Sequence, residues 1–93
     1  MSGGLWLFAY DISDDRVRRK VAEALEEVAM RVQASVFEFY GSRQQADRLM
    51  ADLVALTPAA ESIRRYRVPA SAFGGCAAHG LPPAPQAAAY WLL

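Results

Sequence analysis

Leu5 to Lys20, LWLFAYDISDDRVRRK, constrains this chain more than any other stretch. Six apolar residues, Leu5 to Tyr10, run without a break. That is long enough for a strand buried on both faces and too short to cross a bilayer. The run stops at Asp11. Three carboxylates (Asp11, Asp14, Asp15) fall within five positions, and four cations (Arg16, Arg18, Arg19, Lys20) within the next five. A buried strand that delivers an acid at its carboxyl end, beside a helix start, is a common way to place a metal ligand over a sheet. Asp14 or Ser13 suits the helix cap. Asp11 stands three residues too early for that task and is the candidate metal-binding acid.

A helix should follow over 14–29. Val17, Val21, Leu25 and Val28 recur at spacings of four, four and three, one apolar stripe. Arg16, Arg19 and Lys20 lie on other faces, with Glu23, Glu26 and Glu27 as partners at helical spacing. A solvated helix face explains most of these charges. Arg16, Arg18 and Arg19 stand apart, because cations in the first turns oppose the helix dipole, and a phosphate ligand would offset that cost. Residues 31–40, RVQASVFEFY, are β-branched and aromatic and therefore extended. They fit one strand with two apolar faces, or two short strands reversing near Ala34–Ser35, where no Gly or Asn marks a turn.

Gly41 breaks the strand and Ser42 is a good cap. Ala46, Leu49, Met50, Leu53 and Val54 then form the stripe of a second helix that must end before Pro58. Glu61 to Val68, ESIRRYRV, is again extended and is stopped by Pro69. Arg65 and Arg67 share one of its faces and Arg64 takes the other. These cations read equally as charge protecting an edge strand and as a phosphate-facing rim. Nine of the ten cations in the chain are Arg, which suits forked phosphate contacts and follows equally from a GC-rich genome. With a net charge of zero, local patches carry any nucleic-acid argument.

Residues 70–86 form a Pro- and Gly-rich arm, in which Cys76 and His79 are too few ligands for a zinc site. The apolar end, 87–93, AAAYWLL, reads as a further strand. Its own sheet or a partner subunit could bury it, and the length of the arm favours exchange between protomers. The order strand, helix, extended pair, helix, strand is the βαββαβ pattern of an α+β, ferredoxin-like domain, here with an additional C-terminal strand. Right-handed crossovers put both helices on one face of the sheet. The other face is then bare in a monomer. With 54% hydrophobic residues in 93, a single domain of this size has more apolar side chains than its interior can hide, which points to a homodimer. One cysteine, no leader-like start and no membrane span are the expectations for a cytoplasmic protein.

Three motifs occur in register: Tyr10-Asp11-Ile12-Ser13-Asp14-Asp15, Arg16 to Ala22, and Arg31 to Glu38. With Ser62 to Pro69 as a later strand, they resemble the CRISPR-associated "Cas two" family, the small partner of the spacer integrase, over about residues 5 to 69. The resemblance implies a symmetric homodimer in which Asp11 faces its counterpart across the two-fold axis, binds magnesium (or manganese) and acts as the catalytic acid. It implies two roles: a metal-dependent nuclease on RNA or DNA, and a non-catalytic bridge between integrase dimers during spacer acquisition. The chain departs from the family at Ala29-Met30, where Gly is usual. Phosphodiester cleavage wants a hard cation that polarises the phosphate and supplies hydroxide, and one carboxylate per subunit is sparse for that. Binding needs only arginines along the backbone, here Arg16, Arg18, Arg19, Arg64, Arg65 and Arg67. The scaffold is therefore the favoured role. A stand-alone endoribonuclease toxin of the same fold, and an RNA binder stacking bases on sheet aromatics, are the alternatives.

Overall fold

In the computed structural model, residues 3–85 are described. The additional strand expected at 87–93, and its exchange, lie outside them. The element order is β1 (Gly4–Asp11), α1 (Asp15–Glu26), β2 (Met30–Gln33), β3 (Val36–Gly41), α2 (Arg43–Ala55) and β4 (Ser62–Val68). A short 3₁₀ turn, Ala70–Gly75, follows. The strands form one sheet in the order β2-β3-β1-β4. Every adjacent pair is antiparallel. This is the expected βαββαβ fold.

Alternation along β1 decides what each face does. Trp6, Phe8 and Tyr10 join Phe37 and Phe39 of β3 under the helices, against Val21, Leu25, Ala46, Leu49 and Leu53. Phe8 and Phe37 are opposite one another in register and fully buried, so truncating either to Ala would cost about 3–5 kcal/mol. Leu5, Leu7 and Ala9 point to the second face.

Helix α1 is shorter than its stripe suggests. The amides of Val28 and Ala29 close back onto the Leu25 carbonyl, ending α1 so that the chain can turn into β2. Val28 is consequently 53% exposed rather than core, and Val54 of α2 is likewise exposed. The segment 31–40 resolves into two antiparallel strands, with Ala34–Ser35 as the reversal and an irregularity in register between Arg31 and Gln33. The turn needs no Gly, because Tyr10 holds it from outside. The Tyr10 amide donates to the Ser35 carbonyl at 3.1 Å, and the Tyr10 hydroxyl donates to the Ala34 carbonyl at 3.4 Å. Ser42 caps α2 in a reciprocal pair with Gln45. A side chain at Gly41 would meet both the Phe39 ring and the Gln45 cap at under 3 Å, so the close approach at that corner requires glycine.

The segment after β4 is more ordered than a linker. Phe73 is buried in the 3₁₀ turn. Cys76 lies near enough to Tyr40 on the second face to contribute to the rise in that phenol's pKa. Beyond this cover the second face is largely apolar around a buried Glu38: Leu7, Ala9 and Val36 are half-buried, while Met30 and Tyr66 are exposed.

Candidate functional site

Asp11 is the last residue of β1, paired in register with Ser62 of β4, and its side chain is exposed. It borders a groove of about 680 Å³ that also includes Tyr10, Asp15, Arg18, Arg19, Arg31 and Ser35. The loop behind Asp11 is fixed from two sides. Asp14 caps α1, its carboxylate accepting from the Val17 amide at 2.9 Å. Glu61, expected to begin β4, instead sits just ahead of it and reaches across. Its carboxylate accepts from the Ser13 amide at 2.7 Å, the Ser13 hydroxyl at 3.1 Å and the Asp14 amide at 3.2 Å. On the other side Arg18 donates to the Ile12 carbonyl at 3.0 Å and pairs with Asp15.

The six arginines singled out in the sequence fall into four settings. Arg18 is engaged in holding the acidic loop. Arg16 and Arg19 are exposed on α1, with Arg19 at the groove wall. Arg64 lies on the open sheet face, where the hydrogen bond from its Nη1 to the Tyr66 hydroxyl, 2.9 Å, raises its already high pKa. Arg65 and Arg67 face the helix side and stack on Trp6, their guanidinium carbons 4.8 and 5.3 Å from the indole centroid. Sequence reasoning missed Arg31, which stacks on Phe37 at 5.1 Å and pairs with Glu26 at 3.6 Å. A plain reversal at Ala34–Ser35 would set Arg31 opposite Glu38, and only the register irregularity between Arg31 and Gln33 brings it opposite Phe37. Sequence reasoning also missed Trp6, Arg43 and Asp47, which only the packing of α2 against β4 brings together.

The residues present do not by themselves make a magnesium site. Among the described residues no three His, Cys, Asp or Glu side chains group to hold a metal. Asp15, the other acid nearest the loop, is taken by Arg18. Magnesium demands near-octahedral oxygen coordination and keeps waters when carboxylates are few, and at this loop Asp14, Asp15 and Glu61 are engaged by neighbours, which leaves it Asp11.

A four-stranded antiparallel sheet under two helices, with an exposed acid closing one of its central strands, defines an α+β protein of the split βαβ kind. The family model for CRISPR associated protein Cas2 matches residues 4–75, and the chain belongs to this family. It is 40% identical over 62 residues to a "CRISPR-associated endoribonuclease Cas2" of Synechocystis sp., covering 67% of each chain. It is 47% identical over 53 residues to one of Allochromatium vinosum, covering 57% of this chain and 56% of that one. Among solved structures, a hypothetical protein from Thermus thermophilus superposes with a TM-score of 0.71 at 32% identity, over 89% of this chain and 95% of that one. A chain from a partial Cas6-RT-Cas1–Cas2 complex shares the fold, with a TM-score of 0.69 at 24% identity, over 90% of this chain and 91% of that one. No helix among the described residues is long and apolar enough to cross a membrane.

Proposed function

We propose that this chain is a homodimeric adaptation scaffold that joins the CRISPR integrase subunit and a DNA spacer precursor, with metal-dependent cleavage of RNA or DNA as a secondary property. The observation that carries the reading is the contrast at the Asp11 end. Of the four acids that border that groove, Asp15 pairs with Arg18 and Glu26 with Arg31, no three group to hold a metal among the described residues, and Arg19 is the cation left for a phosphate. That inventory is adequate for holding phosphate and thin for hydrolysing it. The fold shared with a chain of a Cas1–Cas2 complex supports the integrase partner; the names of the curated relatives support the nuclease. Arg16, Arg18, Arg19, Arg64, Arg65 and Arg67 are the proposed nucleic-acid contacts, Arg18 chiefly through the loop it holds. Magnesium, or manganese in its place, would need the Asp11 carboxylate of a second copy and the substrate phosphate to complete its ligands. The RNA-stacking alternative is disfavoured by the open sheet face. Its exposed aromatic, Tyr66, is tied to Arg64 among aliphatic neighbours, a surface better suited to a second copy than to bases.

Asp11→Asn tests the division of roles. It removes the charge while keeping shape, so any magnesium-dependent cleavage should fall by orders of magnitude. Spacer acquisition with the integrase should survive. A folded, dimeric Asp11→Asn protein that cannot support acquisition would overturn the scaffold. One that cleaves at the parent's rate would remove Asp11 from the chemistry.

A further inference from the structure

Roughly 17 Å along β1 from Asp11, at the other end of the strand, a cleft of about 360 Å³ is lined by Trp6, Arg43, Arg65 and Arg67. We propose that this cleft is a second phosphate site, in which Arg43, Arg65 and Arg67 hold the backbone of a nucleic-acid duplex independently of the Asp11 groove. The proposal rests on the nucleic-acid reading above and deepens it, by adding Arg43 and by giving Arg65 and Arg67 one shared task.

Three guanidinium groups share the cleft, with one carboxylate beside them. Asp47 accepts from Arg65 Nη1 at 2.6 Å and lies 3.9 Å from Arg43 Nε, which leaves a net surplus of two positive charges. Arg65 and Arg67 are also held in place by the ring they stack on. Trp6 is 7% exposed and its indole N–H donates to the Gly41 carbonyl at 3.0 Å, so the ring cannot turn. Stacking of Arg65 and Arg67 on that ring covers guanidinium faces and leaves their N–H edges for a ligand. Arg67 crosses β1 where the chain has Gly4, and a Cβ there would lie 2.6 Å from Arg67 Nη2. Arg43 opens α2, whose first turn contains no acid.

A base has no room on a buried indole already stacked by arginine, so recognition falls to the phosphate. A lone protein carboxylate would neutralise one of the two surplus charges. A nucleic-acid backbone presents charge repeatedly, once per ~3.4 Å on each strand, and meets both. Held arginines of this kind fix register on a duplex and read no sequence.

The test uses the full-length chain carrying Trp91→Phe, so that Trp6 is the sole tryptophan. Adding a short DNA duplex should change Trp6 emission. Arg43→Ala, at a side chain 81% exposed, should weaken duplex binding about tenfold and lower the salt slope by about 0.9. Lys20→Ala, exposed on α1 and outside both sites, should leave the Trp6 response intact. Duplex binding with unchanged Trp6 emission, and Arg43→Ala on the parent's salt line, would overturn the cleft and leave the proposed function standing. Absence of duplex binding even at about 50 mM salt would bring down both. An oligoglutamate peptide that changes Trp6 emission as strongly as the duplex would overturn the phosphate assignment in favour of an acidic protein partner.

Discussion

Glu38 sits in the middle of the open sheet face, level with Met30 on β2 and Leu7 on β1, and is buried at 9% exposure. Burial pushes its pKa above the ordinary 4.5. Burial and the Glu38 charge, in that order, raise the Tyr40 phenol beside it. The unfolded chain therefore releases the Glu38 proton at lower pH than the folded chain does. Between about pH 4.5 and the raised folded value the native state binds more protons, so this residue's contribution to stability falls as pH rises. Glu38→Gln should stabilise the protein at neutral pH and flatten that part of the profile, read from urea midpoints at a series of pH values. A variant whose profile parallels the parent's would show that burial of this acid is without consequence.

At the scale of elements, the start of α1 carries the most tertiary information. Asp14 supplies a local cap worth about 1 kcal/mol, and Glu61 adds three accepted hydrogen bonds from the far end of the chain. Glu61→Ala should cost about 1–2 kcal/mol and lower the melting temperature by roughly 4–8 °C per kcal/mol for a domain of this size. A variant melting with the parent would mean that solvent replaces those bonds freely. The Asp14 and Ser42 caps and the sequence of helices and extended segments were legible, because each is encoded within a few residues, whereas residues 31–40 read equally as one strand or two. Asp11 was legible as the acid that no local role explained. Glu61 was hidden, because its partners lie 48 and 47 positions away. The structural task of Arg18 was hidden for a related reason: spacing places it beside the loop but does not reveal that it donates to the Ile12 carbonyl. Val28 and Val54 continued apolar stripes but are exposed, Val28 because α1 ends before it. The 3₁₀ turn around Phe73 was missed because Pro and Gly dominate its surroundings.

At the scale of the molecule, the open face is the feature that one chain leaves incomplete. Leu7, Ala9, Met30, Val36 and Tyr66 form an apolar surface that a second copy would cover. Sedimentation equilibrium at micromolar concentration should give a mass near twice 10.2 kDa. Deleting residues 87–93 should weaken that association more than it lowers the stability of the fold. A concentration-independent monomer would remove both the dimer and the two-copy metal site, while a truncated chain that stays fully dimeric would count against strand exchange. The sheet order has a consequence for synthesis as well. β1 is made first and lies between β3 and β4, yet β4 ends at Val68. Ser13 and Asp14 likewise wait for Glu61. The emerging chain therefore holds its central strand with one flank open until most of its length has left the ribosome, and the Asp11 end takes its final shape only when that flank closes.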